Sequence, residues 1–294
     1  VFQLIVMACA ELFIRRDAAV VFKGAFDLLK QSSITNYLSR NPNNIPLFLY
    51  EKFFYVLFGS SGLWVMQALN ILYVNLGAVL LYKLSQKHFN QKTADLVYLF
   101  YVSLICYSPY FYSMYTDIPP LPLIALQLWW ALDLLKEDQA GSWKKIVGLG
   151  ILSGVTMLIR PTTIIVMIAF LAVLFFRGNW KAFGKIVTVT VMMTGFVFAG
   201  LNTAVNHQRV VPILKQEGLA KGPLLFINLG LTDMGHNQED MKEGLLTYID
   251  EEKRSDYNNG LFKKENVIKE IKRRLKEYGP FGLIGHIYYK QSLT

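Results

Sequence analysis

Long apolar stretches separated by short charged segments dominate the first two thirds of the chain. Five of them meet or approach the roughly 20 residues that a helix needs to cross a bilayer. These stretches are Leu63–Leu84, Asp95–Tyr115, Ile118–Leu135, Ile146–Phe176 and Gly184–Val205. A sixth, Val1–Ile14, opens the chain, and we expect it to be the end of a helix that begins earlier in a longer protein. The pattern predicts membrane-spanning helices.

The charges of the loops predict how these helices are oriented across the membrane. Three short loops carry three Lys or Arg residues each: Lys83–Lys92, Lys136–Lys145 and Arg177–Lys185. Basic loops favour the cytoplasmic face. All three can lie there only if Ile146–Phe176 turns back at Arg160–Pro161, where the proline also disfavours a continuous helix. We therefore predict seven membrane segments, with residues 15–62 and everything after Asn206 on the extracytoplasmic side.

These features predict an all-α integral membrane protein. Residues 1–205 should form a polytopic helical bundle, a transmembrane domain whose long first external loop comprises residues 15–62. Within that loop, Ile45–Gly59 is apolar but is interrupted by Glu51 and Lys52. Because this segment is too short to span a bilayer, we expect it to be an interfacial helix.

The remainder of the chain, residues 206–294, is hydrophilic. We predict a small external region, α or α+β, that continues beyond the end of this sequence. Within it, Gly222–Gly235 should be extended or rich in turns. Apolar residues recur at helical spacing in Lys263–Tyr278, and the following Gly279–Pro280 should stop that helix.

Composition supports a membrane protein and excludes other classes. The chain is 53% apolar with a mean hydropathy of +0.32, which excludes a disordered chain and an ordinary soluble enzyme. The net charge is +9, but residues 1–205 hold 16 Lys and Arg against 9 Asp and Glu. The basic excess therefore belongs to loops that face an anionic membrane surface. Cys9 and Cys106 lie in apolar stretches, so a disulfide framework is excluded.

Three ionisable residues lie where an apolar environment makes charge costly. Asp17 follows the first apolar stretch, Asp117 precedes the third, and Arg160 lies between two short helices. Each has a structural alternative: Asp17 as a solvated interfacial charge, Asp117 as a helix N-cap, and Arg160 as a cation that snorkels to lipid headgroups. Together they favour group transfer, since a carboxylate can take a proton from a hydroxyl and a guanidinium can hold a phosphate.

Several short motifs follow one another in an order that resembles a known family. They are Arg16–Phe26, Asn41–Leu49, Leu57–Gly59, Tyr115–Asp117 and Ile159–Pro161. Their order and spacing resemble the GT-C glycosyltransferases, and more narrowly the bacterial members of the branch with protein O-mannosyltransferases, aminoarabinose transferases and family-39-like enzymes. The resemblance covers most of residues 1–205.

This resemblance implies a membrane glycosyltransferase that uses a polyprenyl-phosphate sugar on the extracytoplasmic side of the cell membrane. Asp17 matches the first-loop aspartate taken as general base, and Asp117 matches a second acidic residue near the site. Arg160 matches a basic residue that meets the donor phosphate, and Arg15 and Arg16 are further candidates for that contact. A single displacement would invert the anomeric centre.

Two further features bear on ligands. Tyr112 and Tyr115 belong to an aromatic cluster that could contact sugar or lipid, or form an interfacial belt. Relatives often carry a second acid directly after the first-loop aspartate, where this chain has Ala18. This weakens the case for a divalent metal, which needs several oxygen ligands. The 4 histidines are scattered without the spacing of a zinc site, so a divalent metal is the one cofactor left open.

The expected partners are a lipid-linked sugar donor, a glycan, lipid or protein acceptor, and membrane lipids, with no nucleic acid. Three rival classes stay open. A lipid-linked polysaccharide polymerase or ligase would also use a polyprenyl carrier outside the cell. A secondary transporter would place its ionisable groups near the bilayer midplane and repeat its halves, whereas here the charges gather at one predicted face. The third rival is an inert structural subunit.

Overall fold

The computed structural model describes residues 1–10, 14, 16–108, 111, 113–136, 142–178, 180–231 and 263–292. Their regular structure is helical, and no strand occurs among them, so the all-α prediction is confirmed for this part of the chain. In chain order the helices are α1 (Phe2–Cys9), α2 (Arg16–Ala25), α3 (Gln31–Arg40), α4 (Ile45–Phe58), α5 (Gly62–His88), α6 (Gln91–Tyr101), α7 (Leu121–Lys136), α8 (Trp143–Ile159), α9 (Ile164–Phe176), α10 (Trp180–Asn206), α11 (Pro223–Gly230) and α12 (Lys264–Ser292).

The chain divides into two compact units. The first comprises Val1–Lys30 and Ile45–Val210, and the second comprises Gln31–Asn44 and Val211–Thr294. Helix α3, which we expected in the external loop of the first domain, thus belongs to the second unit. The C-terminal part of the second unit begins at Val211, a few residues after the boundary predicted at residue 206.

Two helical segments among the described residues are long and apolar enough to cross a membrane. They are Pro42–His88, which runs through α4 and α5, and Phe183–Asn206 in α10. Pro161–Phe176 is apolar but shorter. The predicted count of seven membrane segments stays a prediction.

Helices α8 and α10 of the first unit pack closely along a small-residue stripe. A Cβ built on Gly150 would lie 2.7 Å from Met193 Cβ, and one on Gly154 would lie 2.8 Å from Val197 Cβ. Thr194 Oγ1 also donates to the Gly150 carbonyl at 3.1 Å. Since lipid is as apolar as these side chains, close van der Waals contact and interhelical hydrogen bonds hold such helices together.

The chain turns back after α8, as the charge pattern predicted. Helix α8 ends at Ile159, Arg160 is extended, and a 3-10 turn at Pro161–Thr163 leads into α9. At the far end of α9, Arg177 donates to the Leu135 carbonyl near the end of α7. The prediction of two short helices in place of one is therefore confirmed.

The three basic loops meet at the C-terminal end of α7. Asp133 is buried there and contacts Lys87 Nζ at 2.6 Å, His88 Nε2 at 2.8 Å and Lys145 Nζ at 3.0 Å. Together with Arg177, these contacts confirm that the three loops share one end of the unit. The assignment of that end to the cytoplasmic face is a prediction.

Other boundaries differ from those the sequence predicted. The second apolar stretch leaves the α-helical path early, because α6 ends at Tyr101 and continues only as a π-helical turn, Val102–Cys106. The segment predicted to be extended or rich in turns instead contains α11. Helix α12 bends at Gly279, where φ is +59°, but resumes to Ser292. A glycine at positive φ accommodates this bend without the strain that a side chain would add.

Two sets of hydrogen bonds assemble the second unit. Tyr278 Oη and Lys290 Nζ of α12 donate to the carbonyls of Leu231 and Gly230, at 3.1 and 2.7 Å, and so hold α11 against α12. The backbone N–H of Leu214 donates to Ser39 Oγ at 2.8 Å, and that of Lys221 to the Arg40 carbonyl at 2.9 Å. These last two contacts explain why α3 belongs to this unit.

Candidate functional site

Asp117 and Arg160, two of the three residues singled out in the sequence, form an ion pair. Arg160 Nη1 reaches the Asp117 carboxylate and donates to Thr116 Oγ1 at 3.3 Å, while Nε donates to Thr162 Oγ1 at 3.2 Å. The exposed fraction is 34% for the Arg160 side chain and 20% for that of Asp117. Three neighbours thus orient one half-buried guanidinium.

The local chain path explains this placement of Arg160. Pro161 carries no N–H, and the residue before a proline is pushed out of the helical region. Arg160 accordingly has φ −146° and ψ 108°. Its carbonyl accepts hydrogen bonds from the backbone N–H of Thr163 at 3.1 Å and from Thr163 Oγ1 at 2.9 Å. The turn that separates α8 from α9 therefore fixes the backbone of Arg160.

Asp117 does not occupy the N-cap position of α7. That helix begins at Leu121, so Ile118 and two prolines separate Asp117 from its first residue. Ile118 is buried in a core cluster with Val74, which anchors the loop. The N-cap alternative for Asp117 is therefore wrong, and the carboxylate faces Arg160.

Tyr115 connects the third singled-out residue with this pair. It lies in the loop between α6 and α7 and is half-buried. Burial raises the pKa of its phenol, the charges of Asp17 and Asp117 raise it further, and the charge of Arg160 lowers it. The charge of Asp17 therefore acts on the same tyrosine as the charges of the ion pair.

The remaining predicted site residues fall into two groups. Arg16 and Asp17 are exposed in the first turn of α2, and Arg16 has a positive φ of 54°. Arg15 and Tyr112 lie outside the described residues. In the part of the chain that the structure describes, no group of three or more His, Cys, Asp or Glu side chains could hold a metal ion.

An apolar cavity of about 460 Å³ lies beside the ion pair. Its wall is built mainly from prolines, leucines and two tyrosines of α4, α5 and α7, and it includes Thr116 and Ile159. These two residues are the chain neighbours of Asp117 and Arg160, so the charged pair lies at the edge of an apolar space. The volume is within the range of small-molecule binding pockets. The sequence did not indicate this cavity, because its wall comes from distant apolar segments without a motif.

Buried polar contacts connect α7 and α8, the two helices next to the pair. Gln127 of α7 donates from Nε2 to Thr156 Oγ1 of α8 at 2.7 Å and to Ser153 Oγ at 3.3 Å. All three side chains are buried. This contact fixes the relation of α7, which follows Asp117, to α8, which ends before Arg160. Sequence reasoning missed it, since an isolated Gln in an apolar helix has no characteristic spacing.

No curated protein and no solved structure matches the chain significantly. A family model does match, and it covers residues 1–294. Its description is that of a conserved hypothetical integral membrane protein, and the chain belongs to this family of integral membrane proteins.

Proposed function

We propose that this protein is a membrane glycosyltransferase that moves a sugar from a polyprenyl-phosphate-linked donor to an acceptor on the extracytoplasmic face. The observation that carries the proposal is the ion pair of Arg160 and Asp117 at the edge of an apolar cavity. A donor of this class has the same two parts, an anionic phosphate joined to a long apolar chain. The order of the sequence motifs supports the same conclusion.

In this proposal the lipid chain enters the cavity and its phosphate binds Arg160. The cavity wall offers side chains such as Leu47, Leu76 and Leu126 to an isoprenoid chain. The guanidinium has five N–H donors, and the contacts to Asp117, Thr116 and Thr162 use its Nε and Nη1 atoms. A guanidinium whose orientation is already fixed loses less entropy when it binds a phosphate.

Asp17 is the proposed general base. Its exposed carboxylate takes the proton of the acceptor hydroxyl, whose oxygen attacks the anomeric carbon of the sugar. The bond from that carbon to the phosphate oxygen breaks, and the polyprenyl phosphate leaves with the electron pair. One displacement of this kind inverts the anomeric centre.

Asp117 orients Arg160 in this scheme and does not take part in proton transfer. Phosphate is a fair leaving group, so positioning of donor and acceptor and stabilisation of the developing charge supply most of the acceleration. We propose that Tyr115, on which the charges of both carboxylates and of Arg160 act, contacts the sugar or the phosphate.

The test is transfer of a radiolabelled sugar by the purified protein in proteoliposomes, with a panel of polyprenyl-phosphate sugars and a membrane extract as source of acceptors. The wild-type protein should transfer label, and Asp17→Asn should abolish transfer while the protein still inserts. Asp27→Asn is the matched control. Asp27 is an exposed aspartate that follows α2, the helix of Asp17, and it pairs with Lys52. Normal transfer by Asp17→Asn would remove Asp17 from the mechanism. No transfer by the wild-type protein with any donor would refute the proposed activity.

A further inference from the structure

Helix α4 carries a carboxyl group that the proposed function does not use. The Glu51 side chain has an exposed fraction of 0%, and neither of its oxygens has a hydrogen-bond partner among the described residues. The adjacent Lys52 does not neutralise it, since Lys52 Nζ pairs with Asp27 at 2.6 Å. The sequence pattern predicts Glu51 to be a polar interruption of an interfacial helix, whereas the structure buries it.

The buried residues one helical turn before Glu51 on α4 are apolar, and the phenol of Tyr50 is the neighbouring titratable group that interacts with Glu51. Leu47 and Phe48, one turn earlier on the same face of the helix, are buried as well. This helix packs against α2 and α5. A carboxylate without a partner in such a place loses its hydration and gains nothing in return, so the neutral acid is the favoured form.

The apolar cavity lies next to this part of α4. Leu47, which lies one helical turn before Glu51, and Tyr50, its chain neighbour, both line the cavity. An apolar reagent that enters the cavity can therefore approach α4 beside Glu51. The apolar wall disfavours entry of a charged, water-soluble reagent.

We propose that Glu51 is a proton-binding site inside the membrane unit, where the side chain is held as a neutral carboxylic acid that hydrophobic reagents reach and water-soluble ones do not. This proposal is independent of the glycosyltransferase activity. It assigns to Glu51 the chemistry of an intramembrane acid, which binds one proton and reacts with hydrophobic carbodiimides.

That reaction provides the probe, and its atoms balance. The acid gives its proton to one nitrogen of dicyclohexylcarbodiimide, and a carboxyl oxygen bonds to the central carbon as one C=N double bond becomes single. The acyl group then migrates from that oxygen to the unprotonated nitrogen, which gives a stable N-acylurea. No oxidant, reductant or further reactant takes part.

The experiment maps modified peptides of the full chain in proteoliposomes by mass spectrometry. Dicyclohexylcarbodiimide should label Glu51 at least tenfold faster than the exposed Glu217, and a water-soluble carbodiimide with glycine amide should reverse that preference. Glu51→Gln should remove the hydrophobic label and Glu217→Gln should leave it unchanged. Failure of the hydrophobic reagent to label Glu51, or equal labelling of both residues by the water-soluble one, would overturn the proposal.

Infrared spectroscopy supplies a measurement that does not depend on reagent access. The difference spectrum between the wild-type protein and Glu51→Gln should contain the carbonyl stretch of a protonated carboxyl group, shifted in D2O. Carboxylate bands in that difference spectrum would show that Glu51 is ionised and would contradict the proposal. A glutamine side chain has the size of the neutral acid, so this variant should fold, and the reagent mapping of the wild-type protein needs no variant.

Discussion

The guanidinium of Arg160 holds the carboxylate of Asp117 between the end of α8 and the loop that leads into α7. This pairing replaces one interpretation that the sequence allowed, a helix cap for Asp117. Near the other end of α7, Asp133 forms ion pairs with lysines of two of the basic loops. From its first residue, Leu121, to Asp133, α7 rises by about 18 Å, so the two ionic clusters lie near opposite ends of this helix. The apolar cavity lies beside the first cluster only.

Asp117→Asn should impair transfer without unfolding the protein. The pair is partly exposed, so its loss should change the free energy of unfolding by no more than about 1 kcal/mol. Misplacement of the guanidinium should lower the transfer rate by roughly ten- to a hundredfold. Transfer kinetics and thermal unfolding in detergent, measured on the same preparation, check both parts. Equal activity of the variant and the wild-type protein would show that the pair has no positioning role.

Gly154→Ala should destabilise the packing of α8 on α10. The new Cβ would lie 2.8 Å from Val197 Cβ and 2.9 Å from the Thr194 carbonyl oxygen, so the helices must move apart. We expect a loss of about 1–3 kcal/mol in the free energy of unfolding. Gly195→Ala is the control, because no atom lies within 4 Å of its new Cβ. That variant should gain up to about 1 kcal/mol from helix propensity. Thermal unfolding measures both, and equal effects would contradict the close approach.

Asp133→Asn should destabilise the basic end of the first unit more than the loss of one of the lysines that contact Asp133 does. The Asp133 side chain is 6% exposed and serves several cations, whereas Lys87 is 49% exposed. We expect Asp133→Asn to lower the free energy of unfolding by about 2 kcal/mol. Breaking a fully buried pair costs about 3–5 kcal/mol, and the cost is smaller here because the lysines can reach water. Lys87→Gln should lose at most about 1 kcal/mol. If Lys87→Gln proves the more damaging variant, Asp133 is not the common partner.

The stability of α12 should fall in acid as Glu270 is protonated. Hydrogen bonds from Arg273, with further contributions from Arg274, lower the pKa of Glu270 from 4.5 to about 2. A lowered pKa stabilises the fold above pH 4.5, and this contribution is lost as the pH falls from about 4.5 to about 2. Hydrogen exchange in peptides of residues 264–278, corrected for the intrinsic effect of pH, should show this loss.

Glu270→Gln is the control for that measurement. Exchange in its α12 peptides should be faster than in the wild-type protein at pH 6 and should lose that difference as Glu270 becomes protonated in acid. A difference that is as large at pH 2 as at pH 6 would mean that another group causes the acid sensitivity of α12.

The sequence predicted what depends on local patterns. Proline after Arg160 predicted the break between α8 and α9, and the basic loops predicted that Lys87, Lys145 and Arg177 share one end of the bundle. Both are local signals, the first of backbone geometry and the second of charge. The pairing of Asp117 with Arg160 was expected only as proximity at one face, and their catalytic roles stay predictions.

What the sequence did not predict depends on contacts between distant segments. Helix α3 joins the second unit through Ser39 and Arg40, whose partners lie about 175 residues later along the chain. Burial of Glu51 could not be read from α4 alone, because an acid in an apolar run is equally compatible with a surface helix. Asp133 lay at a helix end without any motif, and only its assembled neighbours distinguish it.

The most direct test of the account is cross-linking of the purified protein in proteoliposomes with a photoactivatable polyprenyl phosphate. We expect cross-links on α4, α5 and α7 where these helices line the cavity. Arg160→Gln should weaken binding at least about tenfold, since a hydrogen bond to a charged group contributes about 1.5–3 kcal/mol. Arg209→Gln, at an exposed arginine elsewhere, should bind as the wild-type protein does. Cross-links confined to surfaces outside the cavity, or unchanged binding by Arg160→Gln, would contradict a lipid-phosphate site at this pair.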